Sequence, residues 1–329
     1  MIIGLILAGV AVGATVVRPR SWAAAGLAAA CAVVGSAALG TALEAAMPTI
    51  GFLLVAVATA AGIVRLGMPR RAASILLRAG RGRPLPVYAL VCVATALATA
   101  GVSLDGAVVL LVPVVVELAR RGMALRPLLL GGVAVANAFS LAVPEGNPTN
   151  LVVMARLHAS LAGYAERALP AGAAAAVVCA VAVAFLDRPR LDRATLTRER
   201  APAAGFGAVL RLGVQLTALL ALLIPLAARV GIPHVHSLAA SLAVAGVVAV
   251  AAGLANNLPV SAAVAAALAG PAAFAALAGV SVGALVTENG SVATMLAGDL
   301  AGTSAYDRRL VPVVAAALAL ATTLLWLGG

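Results

Sequence analysis

Apolar stretches long enough to cross a lipid bilayer recur from Ile2 to Leu327, and most charges sit in the segments between them. A crossing helix needs about 20 mainly apolar residues. The chain is 64% apolar and only 10% charged, whereas a soluble domain averages about 45–50% apolar and about 25% charged. That excludes a soluble enzyme, a disordered tail and a nucleic-acid reader. The expectation is an all-α, multi-pass protein of a cell membrane, the inner membrane if the source is bacterial.

All 22 basic residues are arginine, against 11 acids, for a formal charge of +11. In a soluble chain such an excess would suggest nucleic acid. Here the arginines lie in loops or at span ends, and the tendency of basic residues to stay on the cytoplasmic side explains them better. Cys31, Cys92 and Cys179 lie in apolar runs without paired spacing, so they read as small core residues.

Spans are expected at Ile2–Val17, Trp22–Gly40 and Ile50–Val64, with a basic amphipathic helix along the membrane surface between Arg65 and Arg83. Pro84–Leu118 is then apolar except near Ser103-Leu104-Asp105-Gly106, and arginines flank both ends. Both ends therefore belong on one side, with a turn at Asp105–Gly106. The second arm, about 14 residues or roughly 21 Å, is too short to cross about 30 Å. A re-entrant hairpin fits.

Leu128–Val143 runs into Pro144-Glu145-Gly146-Asn147-Pro148-Thr149-Asn150, which no helix can continue through. Such a break survives at membrane depth only where protein or a cavity satisfies the freed backbone. Ala168–Leu186 returns to a basic segment. The second half repeats the plan: Val209–Ala228 crosses, Asn256-Asn257-Leu258-Pro259 interrupts Ser237–Leu268, and Val286-Thr287-Glu288-Asn289-Gly290-Ser291 breaks the next helix. Leu310–Leu327 closes the chain. This topology puts 19 arginines inside and three (Arg156, Arg167 and Arg229) outside. About 8 full spans, two re-entrant hairpins and two broken helices form an inverted repeat, the signature of a secondary transporter. The divisions expected are N-terminal scaffold helices at 1–49, a first repeat at 50–186, a cytoplasmic linker at 187–204 and a second repeat at 205–329.

Few acids fall inside the apolar segments, and an ionised carboxylate at the bilayer centre costs at least about 2.5–3.5 kcal/mol, so those retained there default to function. Asp105, Glu145 and Glu288 are the expected proton- or ion-coupling groups, with no arginine or histidine at their depth. Glu145 and Glu288 are placed as counterparts, 143 residues apart. Glu44, Glu117 and Asp299 lie near arginines or span ends and read as structural. Asn147, Thr149, Asn150, Asn256, Asn257, Thr287, Asn289, Ser291 and Thr294 gather at the breaks, where small polar side chains, unwound carbonyls and positive helix ends can replace water around a solute. No phosphate-binding loop, hydrolase elbow or HExxH pattern occurs, so no enzyme, metal or cofactor is expected.

Three motifs carry a family resemblance. Asp105-Gly106-Ala107-Val108-Val109-Leu110-Leu111-Val112-Pro113 is similar to an arsenite-permease hairpin, with Leu104 in place of its usual Asn. Gly146-Asn147-Pro148-Thr149-Asn150-Leu151 resembles the first break. Asn256-Asn257-Leu258-Pro259 with Gly290-Ser291-Val292-Ala293-Thr294-Met295-Leu296 resembles the second hairpin and break. The chain thus resembles the ion-transporter superfamily of arsenite efflux permeases, sodium/proton antiporters and sodium-coupled dicarboxylate carriers, and most resembles its arsenite-permease-like members. The resemblance implies hairpin tips meeting broken helices around one mid-membrane site. The expected function is proton- or cation-coupled secondary transport, by antiport, of a small inorganic solute such as arsenite or antimonite. A sodium/proton antiporter is the alternative, with a dicarboxylate carrier or a non-transporting scaffold behind it. The coupling ion would be H+ or Na+, and the partners the lipid bilayer and a second copy of the chain in a homodimer.

Overall fold

The computed structural model describes residues 2–36, 38–191, 206–227, 235–265 and 271–328. The helices are α1 (Ile2–Val17), α2 (Trp22–Gly35), α3 (Leu39–Arg65), α4 (Met68–Ala79), α5 (Pro84–Val102), α6 (Leu104–Arg120), α7 (Leu125–Phe139), α8 (Pro148–Leu157), α9 (Leu161–Leu186) and α10 (Arg188–Leu191). They continue with α11 (Phe206–Ala227), α12 (Leu238–Ala255), α13 (Asn257–Ala265), α14 (Pro271–Ser281), α15 (Val292–Ala301) and α16 (Val311–Leu327). Residues 192–204 of the expected linker, and Arg229 and His234, lie outside the described residues.

The protein is an all-α, multi-pass membrane protein. Among the described residues six helical segments are long and apolar enough to cross: Leu39–Arg65, Pro84–Val102, Leu161–Leu186, Gly207–Leu226, Leu238–Ala255 and Arg308–Leu327. α1 and α2, counted as spans from the sequence, are 16 and 14 residues long. At 1.5 Å per residue they reach only about 24 and 21 Å. Apolar side chains such as Val33, Val34, Leu97, Phe185 and Val247 stay exposed, as expected where the neighbour is lipid.

Two sequence expectations shift. α3 begins at Leu39 rather than Ile50 and carries Pro48 inside it, since a proline in a long apolar helix can be accommodated by neighbouring structure. The chain also reverses at Ser103, not at Asp105–Gly106. Ser103 has φ 105° and ψ 168°, and its Oγ accepts a hydrogen bond from the Gly106 amide at 3.4 Å. Asp105 therefore lies in the first turn of α6, where a carboxylate meets the positive end of the helix dipole.

α11 is central to one packing unit, lying against α1, α2 and α3. α7 packs on α9, α9 on α16, and α12 on α14. Between these groups α6 packs against α15, and α13 against α8. These two contacts set each short helix of one half beside the second arm of a break in the other.

Candidate functional site

The two breaks share the build of their last turn. α7 ends, and a single 3-10 turn, Pro144–Gly146, leads to extended Asn147 capping α8. α14 ends, and two 3-10 turns, Gly283–Val286 and Glu288–Gly290, lead to extended Ser291 at the N-terminal boundary of α15, where its side chain makes no capping bond. The turns match at an offset of 144 residues, Gly146 on Gly290. A Cβ on Gly146 would collide with the Ser140 carbonyl oxygen, and one on Gly290 with that of Ala284. This register sets Glu145 opposite Asn289, so the expected pairing of Glu145 with Glu288 slips by one residue.

Side-chain amides tie the freed backbone. In the first break Asn150 Nδ2 donates to the carbonyls of Ser140 and Val143 at 2.7 and 2.8 Å. Asn147 Oδ1 accepts from the amide and the hydroxyl of Thr149 at 3.2 and 3.0 Å. In the second, Asn289 Nδ2 donates to the Leu254 carbonyl, and Asn256 Nδ2 to that of Asn289, both at 2.8 Å. Thr287 Oγ1 donates to the Gly253 carbonyl. The joint between α12 and α13 and the second break are thus one bonded unit. Asn137 Nδ2 reaches Thr294 Oγ1 at 3.5 Å and so links the α7 arm to the opposite break.

Several of these side chains have polar atoms to spare. Asn137 Oδ1, Asn147 Nδ2, Asn150 Oδ1, Ser281 Oγ and Ser291 Oγ are buried with no hydrogen-bond partner. Buried polar groups are nearly always paired, so each unpaired one calls for an explanation. Asn147 Nδ2 is a donor, and each serine hydroxyl can donate or accept. Asn147 Nδ2 and the two hydroxyls, with the starts of α8 and α15, can donate to an anionic or oxygen-rich solute, whereas the Asn137 and Asn150 oxygens can only accept.

The three acids have different surroundings. Asp105 has its Oδ1 buried and unpartnered. It lies one turn before Val109 on the same face of α6, and Val109 packs with Leu53, Leu212 and Met295. Glu145 is exposed. Glu288 sits 3.3 Å from the Arg20 guanidinium, which corrects the expectation that no arginine stands at its depth. Arg20 also reaches the Thr303 carbonyl at 3.5 Å. Beside it Arg211, 3% exposed, pairs with Asp299 and donates to the Pro19 carbonyl at 2.6 Å. Arg20 and Glu288 are 268 residues apart, and no local pattern announces their pairing. Sequence reasoning also missed Ser281, and two tyrosines that bond the freed carbonyls: Tyr164 to Leu141 and Tyr306 to Val286, each at 2.9 Å. Among the described residues no three His, Cys, Asp or Glu side chains converge as a metal site.

A family model described as "Citrate transporter" matches residues 3–325. The chain belongs to the citrate transporter family. Among known proteins, the silicon efflux transporter LSI3 of Oryza sativa subsp. japonica is 35% identical over 127 residues, 38% of this chain. The match covers 26% of that relative. Membership in the citrate transporter family overturns the arsenite-permease-like assignment, and with it the expected inorganic cargo of arsenite or antimonite. Of the three acids expected to couple ions, Glu145 is exposed and Glu288 is paired with Arg20.

Proposed function

We propose that this chain is a secondary transporter of small organic carboxylates, coupled to protons or another cation. The single observation carrying this is the match to the citrate transporter family along nearly the whole chain. The chemistry of the breaks agrees: unpartnered amide and hydroxyl groups beside two helix N-termini can receive a carboxylate.

In this reading α5–α6 and α12–α13 are re-entrant hairpins, and residues 50–186 and 205–329 are inverted halves joined through 187–204, with 1–49 as scaffold. Support comes from the shared build of the breaks and from the two hairpin joints. Ser103 and Asn256 both take a positive φ with extended ψ, 105°/168° and 74°/146°. Asp105 is the coupling group, because its buried carboxylate oxygen has no hydrogen-bond partner and, among the described residues, no ion pair, whereas Glu288 pairs with Arg20 and Glu145 is exposed. Asn147, Thr149 and Asn150 with Asn256, Asn257, Thr287, Asn289, Ser291 and Thr294 line or shape the solute site. Glu145 stands exposed at the first break, and Glu288 is held by Arg20 at the second.

The test is uptake of radiolabelled citrate into liposomes under an imposed pH or sodium gradient. Gradient-driven uptake is expected, with Asp105→Asn lowering it at least about a hundredfold, the low end of what general acid–base groups contribute. Absence of carboxylate flux under every gradient from correctly inserted protein would overturn the carboxylate reading. Undiminished coupling in Asp105→Asn would remove Asp105 from it.

A further inference from the structure

A cavity of about 560 Å³ opens between α3, α4 and α6, closed on one side by Leu300 of α15. Its walls are unlike those of a site for a small hydrophilic anion. Val57, Ala60, Val64, Val112 and Val116 make an apolar trough. The trough extends over eight residues of α3 (57–64) and five of α6 (112–116), about 12 and 8 Å along the two helices. Arg65, Arg70 and Arg120 stand at its rim, with Glu117 as the one acid in its lining. That acid is engaged, bridging Arg121 at 3.0 Å and Arg120 at 3.5 Å. Among the described residues Arg65 and Arg70 have no carboxylate partner, so the rim keeps unbalanced positive charge.

α4 adds the second half of the argument. It is a 12-residue helix carrying Arg70, Arg71 and Arg78 along with Ile75, Leu76 and Leu77. It joins the end of the long span α3 to the start of α5 and packs on α6. An amphipathic basic helix of this kind lies at the level of the lipid headgroups, its apolar side toward the acyl region. Basic pockets between spans at that level are suited to anionic headgroups. A ligand matching this cavity must be an amphiphile, with an anionic end for the rim and a hydrocarbon end for the trough.

We propose that this cavity is a binding site for an anionic phospholipid. The phosphate group sits among Arg65, Arg70 and Arg120, and one acyl chain lies along the trough between α3 and α6. The inference is independent of the transported substrate. It assigns the occupant of a space away from the breaks, and it gives α4 a role in holding a lipid against the helix that begins with Asp105.

The experiment reconstitutes the purified protein in vesicles of equimolar phosphatidylcholine and phosphatidylglycerol, extracts it, and counts retained lipids by native mass spectrometry. Wild type should retain phosphatidylglycerol in preference to phosphatidylcholine. An arginine near the surface contributes about a fivefold preference for anionic lipid, so R65Q/R70Q should weaken retention roughly 25-fold. R78Q/R81Q removes the same charge from the same face outside the cavity and should retain the lipid. Ala61→Trp, which fills the trough without changing charge, should expel it while the protein stays monodisperse with an unchanged melting temperature. Equal loss in the two arginine pairs would overturn the site in favour of a diffuse surface field. Retention by Ala61→Trp, lack of headgroup preference, or displacement of the lipid by citrate would overturn it as well, the last in favour of a soluble organic anion.

Discussion

At the scale of single residues, the breaks depend on having no side chain at two points. Gly146 and Gly290 each lie on the carbonyl oxygen six residues earlier, with no room for a Cβ. The obstacle is backbone, which cannot swing aside as a flexible side chain would. Gly290→Ala should therefore destabilise the protein by about 1–3 kcal/mol or more, the usual cost of overpacking. Gly101→Ala, where nothing lies within 4 Å, should stay within about 0.5 kcal/mol of wild type. Thermal unfolding of the purified protein in detergent distinguishes them, and equal melting temperatures would refute the close approach. The sequence made the breaks visible, because Pro144, Pro148 and the run of asparagines cannot continue a helix. It did not give their register. Matching glutamate to glutamate was natural in one dimension, but the glycines set the correspondence in three.

At the scale of elements, helix ends are joined by ions as well as by packing. Asp187 at the end of α9 and Asp307 before α16 share the Arg309 guanidinium at 2.7 and 2.6 Å, and Arg126 in the first turn of α7 reaches Asp307 at 2.8 Å. Hydrogen bonds from Arg309, then from Arg126, hold the Asp307 carboxyl well below the usual carboxylate range. A depressed folded-state value means stabilisation that is complete above the ordinary value of about 3.9 and lost as pH falls below it toward the folded value. At neutral pH Asp307→Asn should cost about 1–2 kcal/mol, allowing for the partly exposed arginines. That difference in melting temperature should shrink as pH falls below about 4, and a constant difference would rule out the ionised form as its source. The charges at these ends were legible in the sequence as markers of one membrane face. Their pairing was not, since Asp187 and Arg309 are 122 residues apart and many arginines could have served.

At the scale of the whole molecule, arginine placement carries the orientation. The segment around Arg78 is expected in the cytoplasm and the α8–α9 turn outside. Cys31, Cys92 and Cys179 are buried and free, so they add little background to thiol labelling. A membrane-impermeant maleimide applied to intact cells should label Ser160→Cys and spare Arg78→Cys, with the reverse in inside-out vesicles. Labelling of both from one side would contradict the topology. The all-α, multi-pass character was readable from apolar run lengths alone, and the boundaries of α1 and α16 fall within about two residues of the expectation. The cargo was misread because it was taken from the likeness of short hairpin and break motifs to arsenite permeases, and those motifs do not distinguish solutes within the superfamily. The surroundings of the acids were not legible either: depth does not say which way a side chain turns, and Glu145 is exposed while Glu288 meets Arg20.

The buried pair in α11 has a consequence for how the protein is made. Arg211 is completed by Asp299, 88 residues later, and by the Pro19 carbonyl, 192 residues earlier. At about 5–20 residues per second, the ribosome takes roughly four to eighteen seconds to supply the carboxylate after the guanidinium has emerged. Through that interval α11 carries a positive charge whose available native acceptor is a neutral carbonyl in the N-terminal loop. The N-terminal helices therefore act as an early berth for the second half, and α11 can settle into its final depth only once α15 has been synthesised.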